Sequence, residues 1–191
     1  MTSIELKKMR VRQIVASNIL IVAAIVIYFV LITVLNITYT QLFLALGVIL
    51  LCQALIGLLK KDSTNSFISI FKQVAIYEKE KMGAEWKKKQ KSEVIWRFLL
   101  SSIMFFQSYL HSESKDKMAQ MDLIYMLFFA IFVIVLVNIS LLFHIRKVDR
   151  SNTEEDLKGY TLKTNLKAVI IGIVSGVIMF SITIWYIMST I

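Results

Sequence analysis

Residues 94–110 read VIWRFLLSSIMFFQSYL, and their reading decides how the chain is threaded. As a helix, these 17 residues reach about 25 Å, slightly short of the ~30 Å hydrocarbon core of a bilayer. Arg97 falls in the first turn, where its long stem can carry the guanidinium back to the interface. Arg97, Ser101 and Ser108 project to one helical face, at about 100° per residue, and Gln107 lies about 80° from it. One reading is a thin spanning helix whose polar stripe faces its neighbours. The other is a helix lying flat in the interface.

On either side the sequence is less ambiguous. The chain is 57% hydrophobic with a mean hydropathy of +0.69, against about 45–50% apolar in soluble domains. The excess is gathered in residues 14–35, 42–59, 123–143 and 168–188, each long enough, or nearly so, to cross a bilayer. These blocks predict an all-α polytopic membrane bundle forming a single membrane domain over residues 1–191. Five transmembrane helices are expected if 94–110 crosses, and four plus an interfacial helix if it does not.

Charge decides between the two. With five spans, 20 of the 22 Lys and Arg residues fall on the inner side, and only Lys115 and Lys117 fall outside. With four, six basic residues of the 144–167 loop are forced outside. Short loops obey the positive-inside rule most strictly, which favours five spans with the N-terminus cytoplasmic and the C-terminus outside. Trp96 and Arg97 then anchor the inner interface, with Tyr39, Tyr109, Tyr125, Trp185 and Tyr186 near the outer one. The basic start, residues 1–13, precedes a 22-residue apolar run. That run is too long for a cleavable signal core and reads as a retained first helix.

Net charge is +9. It flanks lipid spans rather than forming a patch on a soluble fold, so the expected partners are the bilayer and its anionic headgroups, not nucleic acid. Within the polar segment 60–93, Asp62, Ser63 and Thr64 are plausible N-caps, and Phe67, Ile70, Phe71, Val74 and Tyr77 form a helical apolar stripe. Glu78 with Lys81, Glu85 with Lys89, and Glu93 with Arg97 have ion-pair spacing. The segment reads either as an amphipathic helix on the cytoplasmic headgroups, with Lys87, Lys88 and Lys89 contacting anionic lipid, or as a solvated helix packed on the bundle's own loops. In the second basic loop, Ser151 to Glu154 has capping-box spacing, and Gly159 could end a short helix.

No catalytic, cofactor-binding or metal site is expected. No Asp, Glu or Lys lies inside a span, which argues against a proton-coupled pump. Cys52, His111 and His144 fall in separate blocks without ligand spacing, and the lone Cys52 allows no intrachain disulfide. There is no phosphate loop, dinucleotide turn or kinase signature. Without proline, the helices should run mostly unbroken. Gly172 and Gly176 make a Gly-x-x-x-Gly pattern around Ser175, which suits close helix packing, and Gln53 and Asn138 are mid-bilayer groups suited to interhelical hydrogen bonds. The expected function is therefore a small non-enzymatic membrane protein. Its role would be an accessory, regulatory or immunity-type subunit acting through helix contacts with a membrane protein partner. The alternative is a small oligomeric transporter or channel. Lysine- and isoleucine-rich usage with no proline suggests an AT-rich bacterial genome.

Overall fold

The computed structural model describes residues 2–35, 37–60, 63–113 and 123–190. The described residues form an all-α bundle of six helices: α1 (Ser3–Thr33), α2 (Tyr39–Lys60), α3 (Ser69–Met82), α4 (Ala84–Leu110), α5 (Leu123–Arg150) and α6 (Tyr160–Thr190). A 3-10 turn at Glu155–Leu157 precedes α6. Hydrocarbon offers no partner for backbone N–H and C=O groups, so uninterrupted apolar runs must close their hydrogen bonds within a helix. Helices α1, α2, α5 and α6 are long and apolar enough to cross a membrane, their most apolar windows having mean hydropathies of 2.8, 2.7, 2.9 and 2.3. The chain is a multi-pass membrane protein.

On composition α4 is not among these four, but its packing is informative. Residues 94–110 form the second part of a 27-residue helix that runs antiparallel along α2 rather than across its end. Ser108 Oγ donates to the Thr40 carbonyl at 3.0 Å, and Ser101 Oγ donates to the Gly47 carbonyl at 2.9 Å. Further along, Val94 and Arg97 lie over Gly57. The seam repeats every seven residues on both sides: Thr40, Gly47 and Ala54 on α2, and Val94, Ser101 and Ser108 on α4. Ala54 and Ser101 are almost wholly buried. Small residues let two backbones approach closely enough for side-chain hydroxyls to reach carbonyls. The polar stripe of α4 thus faces a neighbouring helix.

The basic tail and loops are mostly helical. Helix α1 begins at Ser3, with Thr2 and Glu5 forming a capping box. Helix α5 runs on to Arg150, and α6 starts well before its apolar stretch. Segment 60–93 is not one helix. Its first helix starts at Ser69 with Ile68 at the cap. Ser63 and Thr64 lie before it in non-helical chain, and Asp62 falls outside the described residues. The chain breaks again at Gly83, whose φ of +51° suits glycine and which sits against the Glu154 carboxylate. Beyond the break, α4 carries on into the α2 seam.

These extensions form a polar layer with its own small apolar core: Met82, Trp86, Val148 and Leu157, flanked by Ala75, Tyr77 and Tyr160. The expected capping box at Ser151 to Glu154 does not form. Ser151 Oγ instead donates back to the Lys147 carbonyl, and Asp156 accepts from the Asn152 and Thr153 amides. At the opposite end Ile32 and Leu42 pack together, and the hydroxyls of Tyr125 and Thr183 join α5 to α6. Lys115 and Lys117 lie outside the described residues.

Candidate functional site

The charged layer centres on Arg10. Its position on α1, one turn before the apolar run, carries it under the bundle and leaves it 5% exposed. The guanidinium Nη2 donates to Asp149 Oδ1 of α5 at 2.6 Å, and Nε donates to both Asp149 oxygens. Nη1 reaches Glu78 Oε1 of α3 at 3.0 Å and Gln13 Oε1 of α1 at 2.8 Å. Arginine's planar fork suits this branching, since each N–H has a fixed direction.

Glu78, 3% exposed, is the second hub. Its Oε2 meets Lys89 Nζ of α4 at 3.2 Å, and its Oε1 lies 3.1 Å from His144 Nε2 of α5. His144 Nδ1 is 2.7 Å from the Tyr160 hydroxyl of α6. Five helices therefore meet through one connected set of polar side chains. The cations Arg10 and Lys89 thus face the carboxylates Glu78 and Asp149. Burial alone would raise the Glu78 carboxyl. The hydrogen bond with His144 and the charge of Lys89 outweigh that, with Arg10 adding to them, and hold it far below the usual carboxylate range. For Arg10, burial works against the charged form, but Asp149 and Glu78 more than restore it.

Glu85 performs a related task at the start of α6. Its carboxylate accepts from the amides of Gly159 and Thr161, at 3.2 and 3.1 Å, and pairs with Lys88 at 2.7 Å. The first amides of a helix lack internal acceptors, so a carboxylate from α4 caps α6 across the interface. Burial would raise this carboxyl, but Lys88 and the Thr161 and Gly159 amides bring it down to about 2. Asn165 donates to Ser92 one turn further on. Glu85→Ala should lower stability by about 1–2 kcal/mol, since it strands buried amides. Glu85→Gln, which keeps one acceptor oxygen, should lose less. Thermal unfolding of the two variants in detergent checks the order.

The residues singled out from sequence fall in different places. Asn138 bonds Asn18 of α1 in both directions, at 3.0 and 2.6 Å, and so ties α5 to α1 within the bilayer segment. Gln53 is exposed on the outside of α2. Gly172 and Gly176 have nothing within 4 Å of where a Cβ would stand, so no helix among the described residues packs on them, and Ser175 between them is only partly covered. Within the four most apolar helices the close-packed glycines are Gly47 and Gly57 instead. Of the lysine run, Lys87 and Lys88 are exposed, whereas Lys89 turns inward to Glu78. Two expected ion pairs are exchanged: Lys88 rather than Lys89 pairs with Glu85, and Lys81 donates to the Ser151 carbonyl rather than to Glu78. The Glu93–Arg97 pair forms at 3.5 Å beside the exposed Trp96.

Sequence reading missed Arg10, Glu78, His144 and Asp149 as a group because their partners are remote in the chain. One local sign was available. Met9, Arg10 and Gln13 share a face that continues the first apolar helix, so a charge there enters the bundle rather than trailing from it. Among the described residues, no group of three or more His, Cys, Asp or Glu side chains is placed to hold a metal ion. The chain matches no protein-family model, no curated protein and no solved structure.

Proposed function

We propose that this chain is a non-enzymatic accessory subunit of a membrane assembly, of a regulatory or immunity type, that works by presenting helix α6 to a membrane partner. The observation that carries this reading is the open Gly-x-x-x-Gly face of α6. Glycine inside a helix costs roughly 1 kcal/mol relative to alanine, and a purely lipid-facing surface returns nothing for two of them a turn apart. A second helix seated there would gain close contact. Beside that face Ile173 and Phe180 are more than half exposed, a width suited to a helix. The buried charges are committed to holding helix ends together, which fits an adaptor better than a carrier.

In this reading the basic layer is cytoplasmic, in the cell membrane of a bacterium, and α4 is a fifth crossing that keeps to the depth of α2. The N-terminus lies inside and the last residues outside. In a Cys52→Ser background, Met188→Cys should react with an impermeant maleimide in intact cells. Reaction only after permeabilisation would overturn the threading.

The functional test is a crosslink from Ser175→Cys in the same background. A product heavier than the 22.0 kDa chain is expected, and Gly172→Leu/Gly176→Leu should abolish it. A product of twice the monomer mass would identify a second copy as the partner. Absence of any product, or its survival in the double leucine variant, would overturn the helix-docking reading.

A further inference from the structure

His144 stands between two neighbours that make opposite demands on one atom. Its Nε2 lies 3.1 Å from Glu78 Oε1 of α3 and 3.2 Å from Lys89 Nζ of α4. The carboxylate needs a proton donor and the ammonium needs an acceptor. A ring nitrogen has one in-plane position, which holds either a proton or a lone pair. Nε2 therefore satisfies one of the two at a time. Nδ1 leaves the choice open, because the Tyr160 hydroxyl 2.7 Å away can donate or accept.

With the ring proton on Nδ1, Nε2 accepts from Lys89, which also reaches Glu78 Oε2 at 3.2 Å. Glu78 Oε1 is then served by Arg10 of α1 at 3.0 Å. A neutral ring with its proton on Nε2 would leave Lys89 facing an N–H, so the place of the lysine assigns the lone pair to Nε2. With both nitrogens protonated, Nε2–H donates to Glu78 Oε1, and two positive charges meet at 3.2 Å. Arg10, Lys89 and His144 would then be three cations against Glu78 and Asp149. Tyr77 of α3, 5.1 Å beneath the Arg10 guanidinium, and Tyr160 of α6 are neutral titratable groups beside them. The Glu78 carboxyl is held far below the usual carboxylate range, so it stays ionised while the ring takes up a proton. Lys89 is the cation free to leave. The Arg10 side chain is 6% exposed and bonded to Asp149, Glu78 and Gln13, whereas that of Lys89 is 26% exposed on a flexible stem.

We propose that His144 and Lys89 are alternative partners of Glu78, and that proton uptake by His144 releases Lys89 to solvent as a pH-sensitive latch between α4 and the α3–α5 pair. In the closed arrangement the ammonium ties α4 to both neighbours. In the open one the imidazolium joins α5 to α3 alone, and an internal ion pair becomes a surface charge. The inference does not depend on the partner proposed for α6.

The cluster carries its own reporter. Lys89 Nζ lies 5.6 Å from the centre of the Trp86 ring, close enough for the cation to act on the indole. Trp96→Phe/Trp185→Phe leaves Trp86 alone of the three tryptophans. In detergent micelles the emission of this full-length chain should step as pH falls from about 8 to about 5, the range over which imidazoles as a class gain charge. Lys89→Met, which removes the cation, and His144→Gln, which stays neutral, should each abolish the step. A second measurement needs no change at the cluster. Brief acetylation of the parent at both ends of the range, followed by peptide mapping, compares Lys89 with Lys8, which is exposed on α1. The ratio of Lys89 to Lys8 modification should rise severalfold in acid. No step in the single-tryptophan chain, a step that survives in either variant, or an unchanged ratio would overturn the exchange.

Discussion

Arg10→Ala should destabilise the folded chain by about 3–5 kcal/mol, the range for removing one partner of a buried ion pair. The loss comes mainly from what is left behind. Glu78 and Asp149 would face each other without the guanidinium that lies 3.0 and 2.6 Å from them. Replacing the three groups together should cost far less: Arg10→Met/Glu78→Met/Asp149→Leu removes the guanidinium with both of its carboxylates and fills their volume, and leaves the partly exposed Lys89 to water. Unfolding in mixed micelles, followed by tryptophan fluorescence, measures both. If the single variant proved no less stable than the triple one, the network would not be what joins the helix ends. The same network predicts a pH dependence. The Glu78 carboxyl is depressed in the folded chain from an ordinary value of 4.5. Its contribution is therefore complete above that value and is lost as pH falls toward and through the depressed one. The parent should weaken steeply in acid, and the triple variant should respond less.

Gly47→Leu should be nearly as damaging, at about 3 kcal/mol, combining overpacking with a lost interhelical hydrogen bond. Even a Cβ at Gly47 would stand 2.9 Å from the Phe105 ring, and the Ser101 hydroxyl bonds the Gly47 carbonyl directly. A leucine pushes α4 away along its whole length with α2. Gly47→Ala should cost less, and Phe105→Leu should recover part of that loss by making room. A double-mutant cycle measures the coupling, which is expected because the two groups touch. Gly172→Leu, with open space at its Cβ, should leave stability of the isolated chain within about 0.5 kcal/mol. Equal losses at Gly47 and Gly172 would contradict the placement of the seam.

Much of the bundle was readable from composition, because hydrocarbon imposes its rule locally. An apolar run with no water available must be helical, whatever it packs on. The face shared by Ser101 and Ser108 was legible for the same reason, since helical periodicity alone puts them together. Their partner was not legible. In sequence the spacing of Gly172 and Gly176 looks the better suited to packing, and only the pairing of α4 with α2 makes Gly47 and Gly57 the close contacts. The charged layer was harder still. Lys88 and Lys89 are adjacent, yet about 100° of helical rotation sends one to Glu85 and the other to Glu78. Spacing suggested Glu78 with Lys81, but local ion pairs are worth only tenths of a kcal/mol, and Arg10 and His144 arriving from other helices outbid them. The break at Gly83 was visible as a lone glycine, but its consequence, turning α4 onto α2 while α3 stays under α1 and α5, depends on contacts far along the chain.

The Arg10 network also bears on how the chain is made. Synthesis runs from the N-terminus, so α1 and α2 enter the membrane before Glu78 exists, and Asp149 follows Arg10 by 139 residues. Until then the arginine waits at the membrane surface with its charge met by water. The α2–α4 pair is complete once residue 110 has emerged, whereas the charged layer closes only when α5 has passed through and α6 has begun. Chains that stop before that point carry correct spans but an open, charged underside. What separates an unfinished chain from a complete one is thus the charged layer at the helix ends rather than the spans themselves.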